Sequence, residues 1–219
     1  MQNESRIVSP ALSETEIEEA KAFVARIMDG QLHIGDFMEE LRLQGVLDRY
    51  EKTIRTEKDV LYSKLNGGGE EVYARHAGRC IDLAGEAALL GLYFVNGLLP
   101  AHHPAYARAD AILKKILEAN GITDEYHLVV PVSLPHLGYH QTLAQHMYVM
   151  VSEDIISALD GDDDALAFVI GHELAHITAG HAEKSVYAMA LHGDPDKADA
   201  DFWPDFKQAH QKEADSIGL

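Results

Sequence analysis

The segment that most constrains the fold runs from Ala165 to Ile177, Ala-Leu-Ala-Phe-Val-Ile-Gly-His-Glu-Leu-Ala-His-Ile. Every residue in it except His172, Glu173 and His176 is apolar or glycine. A proline-free run of this length is too long for an ordinary strand and reads as a helix. Asp162, Asp163 and Asp164 stand just before it, where carboxylates favour the positive end of the helix dipole. The helix is expected from about Ala165 past His181. Being apolar on nearly all sides, it belongs inside the molecule. Its three polar side chains are then buried and need partners.

Their spacing suggests which partner. His172 and His176 are four residues apart, one turn plus about 40°, with a rise of about 6 Å. Two imidazoles so placed can converge on one metal ion at about 2.0–2.1 Å. Glu173 lies about 100° round the axis from His172, so its carboxylate is directed at a water on the metal rather than at the metal. His-Glu-x-x-His on a helix is the pattern in which zinc acidifies a water and the glutamate takes its proton as general base. The alternative zinc-peptidase spacing needs a glycine three residues after the second histidine and a third histidine three beyond that. Here Gly180 and His181 fall four and five residues after His176. On a continuing helix His181 turns about 140° away from His176. It is therefore expected to be a structural or supporting histidine, not a ligand.

A last helix is expected over about Asp205 to Leu219, and the third ligand should come from it, where Glu213-Ala214-Asp215 stands. With that segment included, the chain from roughly His103 to Leu219 resembles the gluzincin zinc metallopeptidases that include HtpX, BepA and the CaaX prenyl protease. The resemblance rests on Tyr148-Val149-Met150-Val151-Ser152, on Asp164-Ala165-Leu166-Ala167-Phe168-Val169 leading into His172, and on Glu213-Ala214-Asp215-Ser216-Ile217-Gly218-Leu219. It implies an α+β, mainly helical, zincin-like domain with a small sheet packed on the active-site helix. It also implies one zinc ion held by two histidines and a glutamate, an aspartate orienting a zinc-binding histidine, and an edge strand at Tyr148–Ser152 that can receive an extended peptide. One position departs from the pattern: four residues before Asp215, where the family has its glutamate ligand, stands Gln211. Glu213 is the nearest anionic substitute and the expected third ligand, with Gln211 and His210 as alternatives. The chain also ends one residue after Gly218, where the family continues, so the domain reads as truncated or unusually short.

The remaining sequence sets the surroundings. With 219 residues and 47% hydrophobic content the chain can bury a sizeable core. Its formal charge of −18 would repel nucleic acid and anionic lipid. Cys80 is the single cysteine, which excludes an intramolecular disulfide. No apolar stretch follows Met1–Arg6, so no signal peptide is expected, and the compartment reads as cytoplasmic. The apolar run Leu83–Leu99 carries Glu86 and Asn96 and falls short of the about 20 residues a membrane span needs. A buried soluble helix is favoured there over membrane association.

Residues 1–100 read as a helical region of unknown role. It opens on the capping box Ser13–Glu16, and Asn66-Gly67-Gly68-Gly69 is a turn with no following Lys-Ser/Thr to bind phosphate. Residues 101–219 form the expected peptidase domain. It holds an amphipathic helix ending at Gly121, strands at 127–132 and 147–151, and a short helix capped by Ser152. His136 and His140 read as loop histidines near the cleft, and Trp203 with the acidic stretch Asp194–Asp201 as a solvated loop over it. The function expected is zinc-dependent endopeptidase hydrolysis of a peptide or protein substrate. The alternative is a catalytically impaired relative acting as an interaction or chaperone-like domain.

Overall fold

A computed structural model describes residues 97–124, 126–132, 142–145, 147–192 and 202–217, with isolated helical positions between residues 13 and 92. The expected helices of the first hundred residues, the glycine break at 66–69, His136, His140 and the stretch 194–201 lie outside the described residues. So does most of Leu83–Leu99, of which Leu89 is helical and fully buried. Among the described residues no helix is long and apolar enough to cross a membrane.

The described elements are α1 (Pro104–Ala119), β1 (His127–Val129), β2 (Thr142–Gln145), β3 (Tyr148–Val151), α2 (Glu153–Ala158), α3 (Asp163–Thr178), α4 (His181–His192) and α5 (Phe202–Ile217). This is a mostly helical α+β arrangement with one small sheet. Helix α1 starts where the ring of His103 accepts the Ala105 N–H and Pro104 supplies a pre-set φ. It stops where Gly121 takes φ +63° and Ile122 N–H closes back on Leu117. Its buried stripe of Ala109, Ile112 and Leu113 follows the helical spacing and faces the core.

The sheet order is β1-β3-β2, with β1 parallel and β2 antiparallel to β3. Strand β3 is therefore central among the described strands, not the edge strand that the resemblance implied. Val149, Met150 and Val151 are almost wholly buried, as side chains on both faces of an inner strand must be. Strand β2, which sequence patterning did not reveal, pairs Thr142 with Val151 through Gln145 with Tyr148.

Helix α3 packs on this sheet and on α1 through Leu166, Ile170 and Leu174, which join Leu128, Val130, Val149 and Val151 in one core. Asp162 caps it by accepting the Ala165 N–H at 2.9 Å. Arg108 of α1 ties its start to the end of α2, donating to Asp163 Oδ1 at 2.8 Å and to the carbonyls of Ile156 and Leu159. Contrary to the expected single helix past His181, α3 ends at Thr178. Gly180, at φ +65°, reverses the chain, and α4 begins at His181. A left-handed glycine is the usual way to stop a helix without strain.

Candidate metal centre

Helix α3 carries His172 and His176 on one side, and their Nε2 atoms lie 3.1 Å apart. Glu173, between them in sequence, is 6% exposed, as expected of a carboxylate on the inner side of a core helix. Helix α5 packs along α3 and closes the site from the opposite side.

The two faces of α5 meet different histidines. Gln211 and Asp215 are four apart, about 40° round the axis, and both reach His172. Gln211 Oε1 is 3.0 Å from His172 Nε2, and Asp215 Oδ1 is 3.0 Å from His172 Nδ1. His210 and Glu213 are three apart, about 60° round the axis, and both reach His181. The His210 ring stacks on His181 at 4.1 Å and 10°, and Glu213 Oε2 lies 3.1 Å from His181 Nε2. Lys184 of α4 also donates to the Glu213 carboxylate, at 3.2 Å. His181 Nδ1 in turn lies 2.9 Å from His176 Nδ1. A continuous helix would have turned His181 away; the break at Gly180 brings it back against His176.

The structure thus does not bring Glu213, the expected third ligand, to the facing Nε2 atoms. Two residues along a helix is about 200°, and with Asp215 turned to His172 the side chain on the same face is Gln211. Among the described residues no group of three histidine, cysteine, aspartate or glutamate side chains is arranged to hold a metal ion. The third atom beside the two imidazoles is a carboxamide oxygen.

Charge distribution follows from these contacts. Burial, together with the neighbouring His172 and His181, pushes the His176 imidazole down to about 4, so the ring is neutral at neutral pH. His210 is likewise lowered, chiefly by burial. The His181 and Lys184 hydrogen bonds hold the Glu213 carboxyl below the usual carboxylate range.

Counting protons tests whether a cation suits these residues. Asp215 lies within ion-pair distance of His172 Nδ1 but off the line of a hydrogen bond, so that buried nitrogen has no hydrogen-bond partner. If the one proton of neutral His172 sits on Nδ1 to face Asp215, the lone pairs of both Nε2 atoms and Gln211 Oε1 converge. If it sits on Nε2, the Nδ1 lone pair is buried against a carboxylate. With the His172 ring neutral, either arrangement leaves a repulsion that a positive charge there removes, whether a cation beside the two Nε2 atoms or a second proton on His172. Nitrogens each about 2.0–2.1 Å from a tetrahedral zinc stand about 3.3–3.4 Å apart, close to the separation found.

The part of this constellation on α3 and α4 lies in a segment that matches a family model. Residues 107–193 match the model of Peptidase family M48. The M48 match begins in α1 and runs to the end of α4, so it takes in His172, Glu173, His176 and His181 and leaves Gln211, Glu213 and Asp215 beyond it. It supports a metallopeptidase function in general terms. No curated protein and no solved structure matches the chain.

Sequence reasoning missed Lys184, and it placed His210 and Trp203 in other roles. His210, expected as an alternative ligand, instead stacks on His181, on the same side of α5 as Glu213. Trp203, expected in a solvated loop, is instead 5% exposed within α5, edge-on to Phe202 and Phe206. Its N-terminal turn is apolar enough to be drawn into the fold.

Proposed function

We propose that the chain is a zinc-dependent metalloendopeptidase with a zincin-like catalytic domain over residues 101–219, acting on a peptide or protein substrate. The observation that carries this reading is the pair of Nε2 atoms 3.1 Å apart on a core helix, with a buried glutamate between them in sequence. His172 and His176 would hold the ion, and Gln211 Oε1 would take the third position in place of Glu213. A bound zinc ion supplies Lewis acidity to the scissile carbonyl and acidity to a water molecule. Glu173 accepts the proton and returns it to the departing amine. The Asp215 carboxylate, 3.0 Å from His172 Nδ1, would favour by its charge a proton on that nitrogen, which directs the other nitrogen forward. An extended substrate would add along the outer edge of β2, an edge strand among the described ones that packs against α3.

Zinc content after dialysis and cleavage of an unfolded protein by the full chain test the reading together. About one zinc per chain is expected, with cleavage that falls by at least about 100-fold in Glu173→Gln while zinc is retained. A wild-type protein that is metal-free and inactive would overturn it. One observation favours a second reading: the neutral carboxamide of Gln211 beside the histidines. An amide is a poor zinc ligand, and a weakened site suits an interaction or chaperone-like domain that binds unfolded protein without cutting it. Zinc occupancy without cleavage, or binding without either, would favour that alternative.

A further inference from the structure

We infer that Glu213 and His181 form a positioning pair that fixes the tautomer of His176. The inference rests on the reading of His176 as a metal-holding residue, but concerns groups to which that reading gives no role. Four atoms carry it: Glu213 Oε2 to His181 Nε2 at 3.1 Å, and His181 Nδ1 to His176 Nδ1 at 2.9 Å. A carboxylate only accepts hydrogen bonds, so His181 Nε2 carries a proton and donates it. In a neutral imidazole the other nitrogen is then a bare acceptor. With His181 neutral, the short contact between the two Nδ1 atoms takes its proton from His176. With that proton on Nδ1, His176 Nε2 is left as a lone pair, directed at the position it shares with His172 Nε2.

The surroundings restrain this pair. The His181 side chain is 5% exposed, so water does not offer its nitrogens an easy alternative partner. His210 lies flat on its ring, which restricts rotation out of the plane that serves both hydrogen bonds. Lys184 holds the carboxylate from the solvent side. Each of the two helical histidines thus has its own carboxylate behind it. Asp215 acts directly on His172, and Glu213 acts on His176 through an interposed imidazole. This accounts for the side chain of Glu213 pointing away from the facing Nε2 atoms while remaining coupled to them.

Two measurements on the full chain test this. The first is the histidine tautomer state in the metal-free protein, read from nitrogen–proton correlation NMR of the imidazole rings. Wild-type His176 is expected in the Nδ1–H form. Glu213→Gln keeps an acceptor for His181 and should preserve that form. Glu213→Ala and His181→Phe should lose it to a mixture of the two tautomers. The second is zinc affinity by chelator competition, expected to fall by about 10–100-fold in Glu213→Ala and His181→Phe and by less than about threefold in Glu213→Gln. Thermal unfolding of each variant identifies any loss that is simply misfolding, and Glu213→Ala, half-exposed at its side chain, provides the second variant should His181→Phe fail to fold.

A metal-free wild type with His176 protonated on Nε2 overturns the inference whether or not zinc binds. So does unchanged zinc affinity in a folded Glu213→Ala. If the chain binds no zinc but the tautomer shifts as described, the metallopeptidase reading fails and the positioning pair stands.

Discussion

At the residue scale the centre differs from the expected one by a single charge. Two neutral imidazoles and a carboxamide leave the full double charge of a zinc ion uncompensated, where a glutamate would remove one unit. A unit charge about 4 Å away is worth from ~1 kcal/mol in water to ~4 kcal/mol near a protein surface. Gln211→Glu, which restores a carboxylate next to His172 Nε2, is therefore expected to raise zinc affinity by about tenfold or more, measured by chelator competition. An unchanged or lower affinity would remove Gln211 from the third position. On charge alone the sequence favours the carboxylate of Glu213 over the Gln211 amide. What sequence did not reveal is that Glu213 is already committed to His181 and Lys184.

Among the elements, the break between α3 and α4 matters most. Apolar patterning predicts one helix through His181, because the run stays largely apolar and the stop signal of Gly180 is outweighed. The end depends instead on Gly180 taking φ +65°, a backbone state that an L side chain enters at a cost. A Cβ at Gly180 would also meet Glu183 Oε2 at 3.4 Å. Gly180→Ala is expected to destabilise the fold by about 1 kcal/mol or more in urea unfolding. Because that turn sets His181 against His176, zinc affinity should fall with it, whereas an alanine at an ordinary helix end would leave affinity alone. The other boundaries were more legible. Ser152, Asp162 and Gly121 stop or start helices by local hydrogen bonds and φ preferences that need no tertiary partner. Strand β2 was not legible, because its pairing with β3 is set by the sheet rather than by alternation within four residues.

For the whole molecule, the centre couples stability to pH. The metal-free fold holds His176 down at about 4 through burial and its histidine neighbours, against an ordinary value of 6.5. The unfolded chain therefore binds that proton more tightly than the folded one. Its contribution is fully present above pH 6.5, declines as pH falls toward 4 and changes no further below that. Solvent at the half-buried ring reduces the size of the effect. Urea unfolding of chelator-treated protein should show a loss of stability over this window that His176→Gln diminishes. A pH profile identical in the two proteins would contradict it. The formal charge of −18 sets a further slope at more acidic pH, as carboxylates common to both proteins are neutralised.

Sequence alone determined the core helix and the polar residues it must carry. Apolar character on nearly all sides requires burial, and four-residue spacing puts His172 and His176 on one side of any helix they occupy. It also determined that α5 should supply the closing residues. Which of them face inward was decided only by tertiary structure, through two rotations. Packing of α5 on α3 turned Asp215 and Gln211 to His172 and carried Glu213 about 200° away from Gln211. The glycine at 180 then rotated His181 back toward His176. Spacing along the chain fixes angles between neighbours on one helix, but the angle between two helices depends on the surfaces they bury against each other.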